Sequence, residues 1–141
     1  MTRRSKYIFG GIGVILMLAI IVVLKLFINP IPQEHRKLIE SHGWSIEGIK
    51  ENRVSVHLPI PSEVEASYRN LGINLEVAKN GTEIFRSRYK LREACSKEKI
   101  DAVVYFNDVK ILGSYFLLTE RDPGYARMEN IDDFRRNHGC Q

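Results

Sequence analysis

Histidines, cysteines and acid–base residues decide what chemistry a chain can attempt, and in this one they are sparse and scattered. The 141 residues hold four histidines, His35, His42, His57 and His138, and two cysteines, Cys95 and Cys140. No histidine belongs to a His-Glu-x-x-His motif and none shares a Cys-x-x-Cys partner, so the spacing offers no metal site. There is no Gly-x-Ser-x-Gly elbow to expose a nucleophile and no phosphate-cradling loop before a helix. Gly10-Gly11-Ile12-Gly13 is glycine-rich, but it sits inside an apolar stretch where a nucleotide loop has no place. The residues therefore name no catalytic, cofactor-binding or metal-ligating side chain. His42 falls in the last turn of an expected helix, where a partly charged imidazole suits the dipole. Asn80-Gly81-Thr82 fits a glycosylation sequon, yet Asn-Gly is also a strong turn, and the turn is the plainer reading.

Cys95 and Cys140 stand 45 positions apart. In an oxidising compartment an even count permits one bridge, and two unrelated free thiols are the alternative. A bridge closing a loop of that length contributes about 3–4 kcal/mol in the chain-entropy account.

What positions these residues is read from charge and hydropathy. The chain has 21 basic and 17 acidic residues, a formal charge of +4. Arg3, Arg4, Lys6 and Lys25 lie in the first 28 residues, which contain no acid, and the rest of the chain is neutral. A neutral domain has no electrostatic footprint for a polyanion, which argues against nucleic acid as a partner. Tyr7 to Leu24 carries no charge, and Leu26, Phe27 and Ile28 extend the apolar run. As a helix, residues 7–28 would reach about 33 Å, enough to cross a bilayer, with Lys25 snorkelling to the headgroups. The run is longer than a signal-peptide core, and no small-x-small cleavage site follows it. The expectation is an uncleaved, single-pass signal-anchor in the cell membrane, with residues 1–6 as a cytoplasmic basic start and the C-terminal domain outside.

Asn29-Pro30-Ile31-Pro32 interrupts any continuing helix and makes 29–33 a short spacer. Residues 34–120 then read as an α+β domain, two helices in one layer on a mostly antiparallel sheet. A helix over about 32–42 ends at Gly43, with Trp44 folding back on Ile39. A second opens at Pro61, carries Glu63 and Glu65 in its first turn, and ends at Gly72. Its apolar face is Val64, Tyr68 and Leu71. Residues 54–58 alternate as a short strand. Residues 83–92 alternate more clearly, with Phe85, Ser87, Tyr89 and Leu91 on one face and Arg86, Arg88, Lys90 and Arg92 on a wet one balanced by neighbouring acids. A hairpin over 99–118 with a two-residue Asn107-Asp108 turn would pair Phe106 with Val109, Val104 with Ile111, Ala102 with Gly113 and Ile100 with Tyr115. That places Val104, Phe106, Val109 and Ile111 against the second helix. Residues 121–141 form a tail in which 128–135 suggests a short helix.

Several stretches resemble one family. Lys37-Leu38-Ile39-Glu40-Ser41-His42-Gly43-Trp44 is similar to the FIESxGW opening of small single-pass envelope proteins of Gram-positive bacteria, which carry a C-terminal domain of unknown function. Leu58-Pro59-Ile60-Pro61 resembles the segment before that family's second helix. Gly72-Ile73-Asn74-Leu75 with Gly81 and Tyr89, and the stretch Val103 to Gly113, look like its later strands. The likeness covers about 36–117 and ends before the tail. It implies an anchored bacterial domain and supplies no catalytic residue or cofactor.

The residues favour a membrane-anchored, non-enzymatic interaction or sensing domain, in contact with the lipid bilayer and with another envelope protein. Two other readings stay open. One is an envelope hydrolase or transferase whose site gathers scattered residues such as His57, Glu63, Arg88 and Asp101. The other is a cytoplasmic regulator of reversed topology.

Overall fold

The structure, a computed structural model, describes residues 31–57, 59–121 and 124–140, together with Met17 and Ile20. The basic start and, apart from those two helical residues, the expected span over 7–28 lie outside the described residues. Among the described residues no helix is long and apolar enough to cross a membrane. The chain divides after Pro32, and Gln33–Gln141 forms one compact unit.

That unit is α+β. Helix α1 (Gln33–Ser41) leads into strand β1 (Ile46–Ser55), helix α2 (Ser62–Asn70) and a short 3-10 turn (Glu76–Asn80). Strands β2 (Phe85–Cys95), β3 (Glu98–Phe106), β4 (Ile111–Leu118) and β5 (Tyr125–Arg127) follow, and helix α3 (Ile131–His138) closes the chain. The five strands form one antiparallel sheet in sequential order.

Both helix ends expected from glycine behave as such. Gly43 has φ +84° and Gly72 φ +85°, a region open to glycine at little cost. Gly43 N–H donates to Glu40 O at 2.9 Å and Trp44 N–H to Ile39 O at 3.3 Å, the paired bonds of a Schellman motif. Gly72 and Ile73 repeat them onto Arg69 and Tyr68, both at 2.9 Å. The helix expected over 32–42 starts at Gln33, with Pro32 just outside it.

Three expectations need correction. The helices do not share a layer. His35 on α1 packs on Tyr89 and Phe106, whereas Tyr68 on α2 bonds Tyr105, the next residue along β3 and therefore on the opposite face. The sheet thus has two covered faces. One carries Phe85, Tyr89, Val104, Phe106 and Phe116 beneath α1 and α3; the other carries Val103, Tyr105, Leu112, Tyr115 and Leu117 beneath α2 and the segment that follows it. Val64, expected in the core, is 41% exposed.

The hairpin register is also shifted. Phe106 pairs with Ile111, Tyr105 with Gly113, Val103 with Tyr115 and Ile100 with Leu118. The turn takes four residues because the Asn107 side chain accepts from the N–H groups of both Val109 and Lys110, at 2.9 and 2.8 Å. A bulge at Leu112 then absorbs one residue and turns that side chain to the α2 face. Val109, expected inside, is 85% exposed. Val109→Ala should accordingly change stability by less than about 0.5 kcal/mol. Leu112→Ala should cost about 2–4 kcal/mol through lost burial and a cavity. Urea denaturation of the two variants checks the register directly.

The third correction is the first strand, expected at 54–58 but found at Ile46–Ser55. Residues 121–141, expected as a tail with a short helix over 128–135, supply β5 and a helix at Ile131–His138. Phe134 is fully buried, with its ring 5.2 Å from those of both Trp44 and Phe116.

Candidate functional site

The face beneath α2 also carries the basic side chains of β2. Three of the four meet an acid in an ion pair. Arg86 lies 3.2 Å from Glu51, Lys90 2.8 Å from Glu47, and Arg88 2.6 Å from Asp101. The Lys90 hydrogen bond holds the exposed Glu47 carboxyl below its usual range. Asp101 differs from the others because it is wholly buried. Lys50, brought to this face by the β1 irregularity between Ile49 and Glu51, reaches the same Oδ2 at 2.7 Å. Two cations therefore converge on one buried oxygen, while Oδ1 has no hydrogen-bond partner among the described residues. Removing either cation would leave a poorly compensated buried charge, so the cluster fixes β1, β2 and β3 in register.

Where α2 meets the sheet, three tyrosines gather. Tyr105 O–H donates to Tyr68 Oη at 3.1 Å, and the Tyr105 and Tyr115 rings stack at 6.2 Å. Burial, then the bond to Tyr68, pushes the Tyr105 phenol far up. Burial and the neighbouring Tyr68 raise Tyr115. Burial opposes the charge on Arg86, but Glu51 and a hydrogen bond to Tyr105 outweigh it, so its pKa is raised overall. Tyr105 and Tyr115 are therefore hydrogen-bonding groups, not bases, at neutral pH. Two grooves flank Tyr68. One, of about 280 Å³, is lined by Val64, Leu71, Tyr115, Leu117 and Tyr125. The other, of about 250 Å³, is lined by Val54, Ser55, His57, Arg86 and Tyr105.

The scattered quartet does not assemble. Arg88 and Asp101 pair, but His57 and Glu63 are exposed and form no hydrogen bond or ion pair with them. Among the described residues no three of His, Cys, Asp and Glu are grouped to hold a metal ion. His42 Nδ1 bonds Leu38 O at 2.9 Å, the helix-end role anticipated for it. His138 stacks on Phe134 and lies 3.6 Å from Glu129. Cys95 and Cys140 are joined in a disulfide. Arg121, held 2.8 Å from Glu98, also directs a guanidinium N–H at Cys95 Sγ, 3.5 Å away.

His35 is the residue that spacing could not single out. It is 3% exposed, its Nδ1 lies 2.6 Å from Tyr89 Oη, and the Phe106 ring centre is 4.5 Å away. Burial lowers its pKa from 6.5, with Glu34 opposing weakly. Above that value the imidazole is neutral in folded and unfolded chains alike. As pH falls below it, the unfolded chain takes up the proton first, and stability declines until the native pKa is passed. Denaturation midpoints should therefore drop as pH falls below about 6.5. His35→Phe should flatten that part of the profile, whatever it does to stability at pH 7.

No family model, no curated protein and no solved structure matches this chain.

Proposed function

We propose that this chain is a single-pass membrane protein whose residues 7–28 form the anchor and whose domain is displayed outside the cell membrane as an interaction or sensing module. The disulfide between Cys95 and Cys140 carries the reading, because such bonds persist in oxidising compartments and are rare in the cytosol. The basic start before the apolar run supports the same orientation. So does the resemblance of residues 36–117 to anchored envelope proteins. The site chemistry favours holding over turnover: the charged groups are consumed in pairs within the sheet, and Tyr105 and Tyr115 are tuned away from ionisation.

A C-terminal fusion to alkaline phosphatase, which is active only after export, tests the topology. Activity supports the reading. Silence with good expression favours the cytoplasmic regulator. Crosslinking in intact envelopes tests the module: an envelope partner supports it. Recovery of no partner, together with turnover of a small molecule by the purified protein, favours the hydrolase or transferase.

A further inference from the structure

The two sulfurs of the Cys95–Cys140 disulfide are not equivalent. Cys95 closes β2 and is 1% exposed. Cys140 lies just beyond α3, past Gly139 in the left-handed region, and is partly exposed. In thiol–disulfide exchange a thiolate attacks one sulfur and the other departs as a thiolate. Access selects the sulfur attacked, and stabilisation of the departing sulfur sets the rate. Access favours Cys140. The departing sulfur is then Cys95, and a hydrogen-bond donor is already aimed at it: Arg121 Nη2, 3.5 Å from Sγ. Arg121 is paired with Glu98 at 2.8 Å, but through Nε. Its Nη2 carries two further N–H groups, one for Cys95 Sγ and one for His138 O at 3.3 Å. Holding the departing sulfur thus takes no unpaired charge, only a donor in place whose bond strengthens as the sulfur becomes anionic.

Opening the bond would not detach α3. Phe134 stays in the core, Ile131 N–H stays on His42 O, and the Trp44 indole stays on Glu129 O. Both thiols remain close, at high effective concentration, so the bond can form again. We infer that Cys95–Cys140 is an exchange site, opened through Cys140 by a partner that carries a pair of thiols. The partner's thiolate attacks Cys140 Sγ, the S–S bond breaks, and its electron pair leaves on Cys95 Sγ. The partner's second thiolate then attacks the partner's own sulfur in the mixed disulfide and releases Cys140. This chain gains two electrons and two protons, and the partner's dithiol becomes a disulfide. The site goes beyond the module reading, since it follows from the bond and its surroundings alone.

The test uses the full chain, oxidised and reconstituted in lipid nanodiscs, with reduced glutathione as the attacking thiol. Acid quenching, labelling of free thiols with a maleimide and digestion let mass spectrometry locate the adduct. Glutathione should sit on Cys140 with Cys95 labelled, favoured about tenfold over the reverse. Arg121→Met should slow opening about three- to tenfold. Arg121→Lys, which keeps a cation for Glu98, serves if Arg121→Met melts early, and its rate should fall between the two. Arg136→Gln, a change at an exposed arginine of α3, should leave rate and adduct position unchanged. Adducts shared equally or found on Cys95, a bond that opens only in denaturant, or a rate indifferent to Arg121 each overturn the inference. None of these outcomes touches the topology, which the phosphatase fusion reads by itself.

Discussion

Phe134→Ala is expected to lower the unfolding free energy by about 3–5 kcal/mol, a large share of the 5–15 kcal/mol that holds a domain of this size. The ring is fully buried and packs edge-on against Trp44 and Phe116, so truncation opens a cavity between α3 and the sheet. Collapse cannot readily fill it. Trp44 is held by its indole N–H to Glu129 O at 3.0 Å, and Ile131 N–H is bonded to His42 O at 2.9 Å. These two bonds pin the start of α3 to the end of α1. Guanidinium denaturation under oxidising conditions gives the number. A change under about 1 kcal/mol would show that the C-terminal helix is a surface appendage.

Gly113→Ala should do comparable damage with a single methyl group. Gly113 has φ +149°, and a Cβ there would stand 2.5 Å from Gly72 O and 2.7 Å from Ile73 Cα. Both are backbone atoms, so no side chain can swing aside. Strand β4 and the end of α2 are also tied by Asn74 N–H donating to Leu112 O at 2.9 Å. Backbone strain of about 1–3 kcal/mol and overpacking of about 1–3 kcal/mol combine into a cost of roughly 2–6 kcal/mol. Gly48→Ala is the matched comparison, since nothing lies within 4 Å of a Cβ placed there. Thermal melts of the two variants should differ widely.

Much of the local structure was legible in the residues because local signals decide it. Gly43 and Gly72 terminate helices by a rule that involves only a few neighbours. The alternation of Phe85, Ser87, Tyr89 and Leu91 places them on one buried face, and of the opposing basic residues Arg86, Arg88 and Lys90 meet acids. The hairpin was misread because β3 is buried on both faces: Ala102 through Phe106 are all buried, so periodicity carries little register information there. The Asn107 side-chain bonds, not the apolar pattern, choose the turn. β1 was largely missed because Glu47, Gly48, Lys50, Asn52 and Arg53 are poor strand formers, and its place at the sheet edge accommodates them. The candidate site was less legible still. Tyr68, Tyr105 and Tyr115 meet only in the correct register, and His35 finds Tyr89 across 54 positions.

The bond between Cys95 and Cys140 turns roughly the last third of the chain into a covalent ring that contains β3, β4, β5 and α3. One accessible point on that ring is the turn where Asp108, Val109 and Lys110 are exposed. A trypsin-like protease that nicks the chain after Lys110 opens the ring there and sheds nothing. The C-terminal fragment stays tethered through Cys140 to the N-terminal piece, and the halves separate on a gel only after reduction. A single cut in this exposed loop therefore leaves the two pieces joined as one covalent molecule.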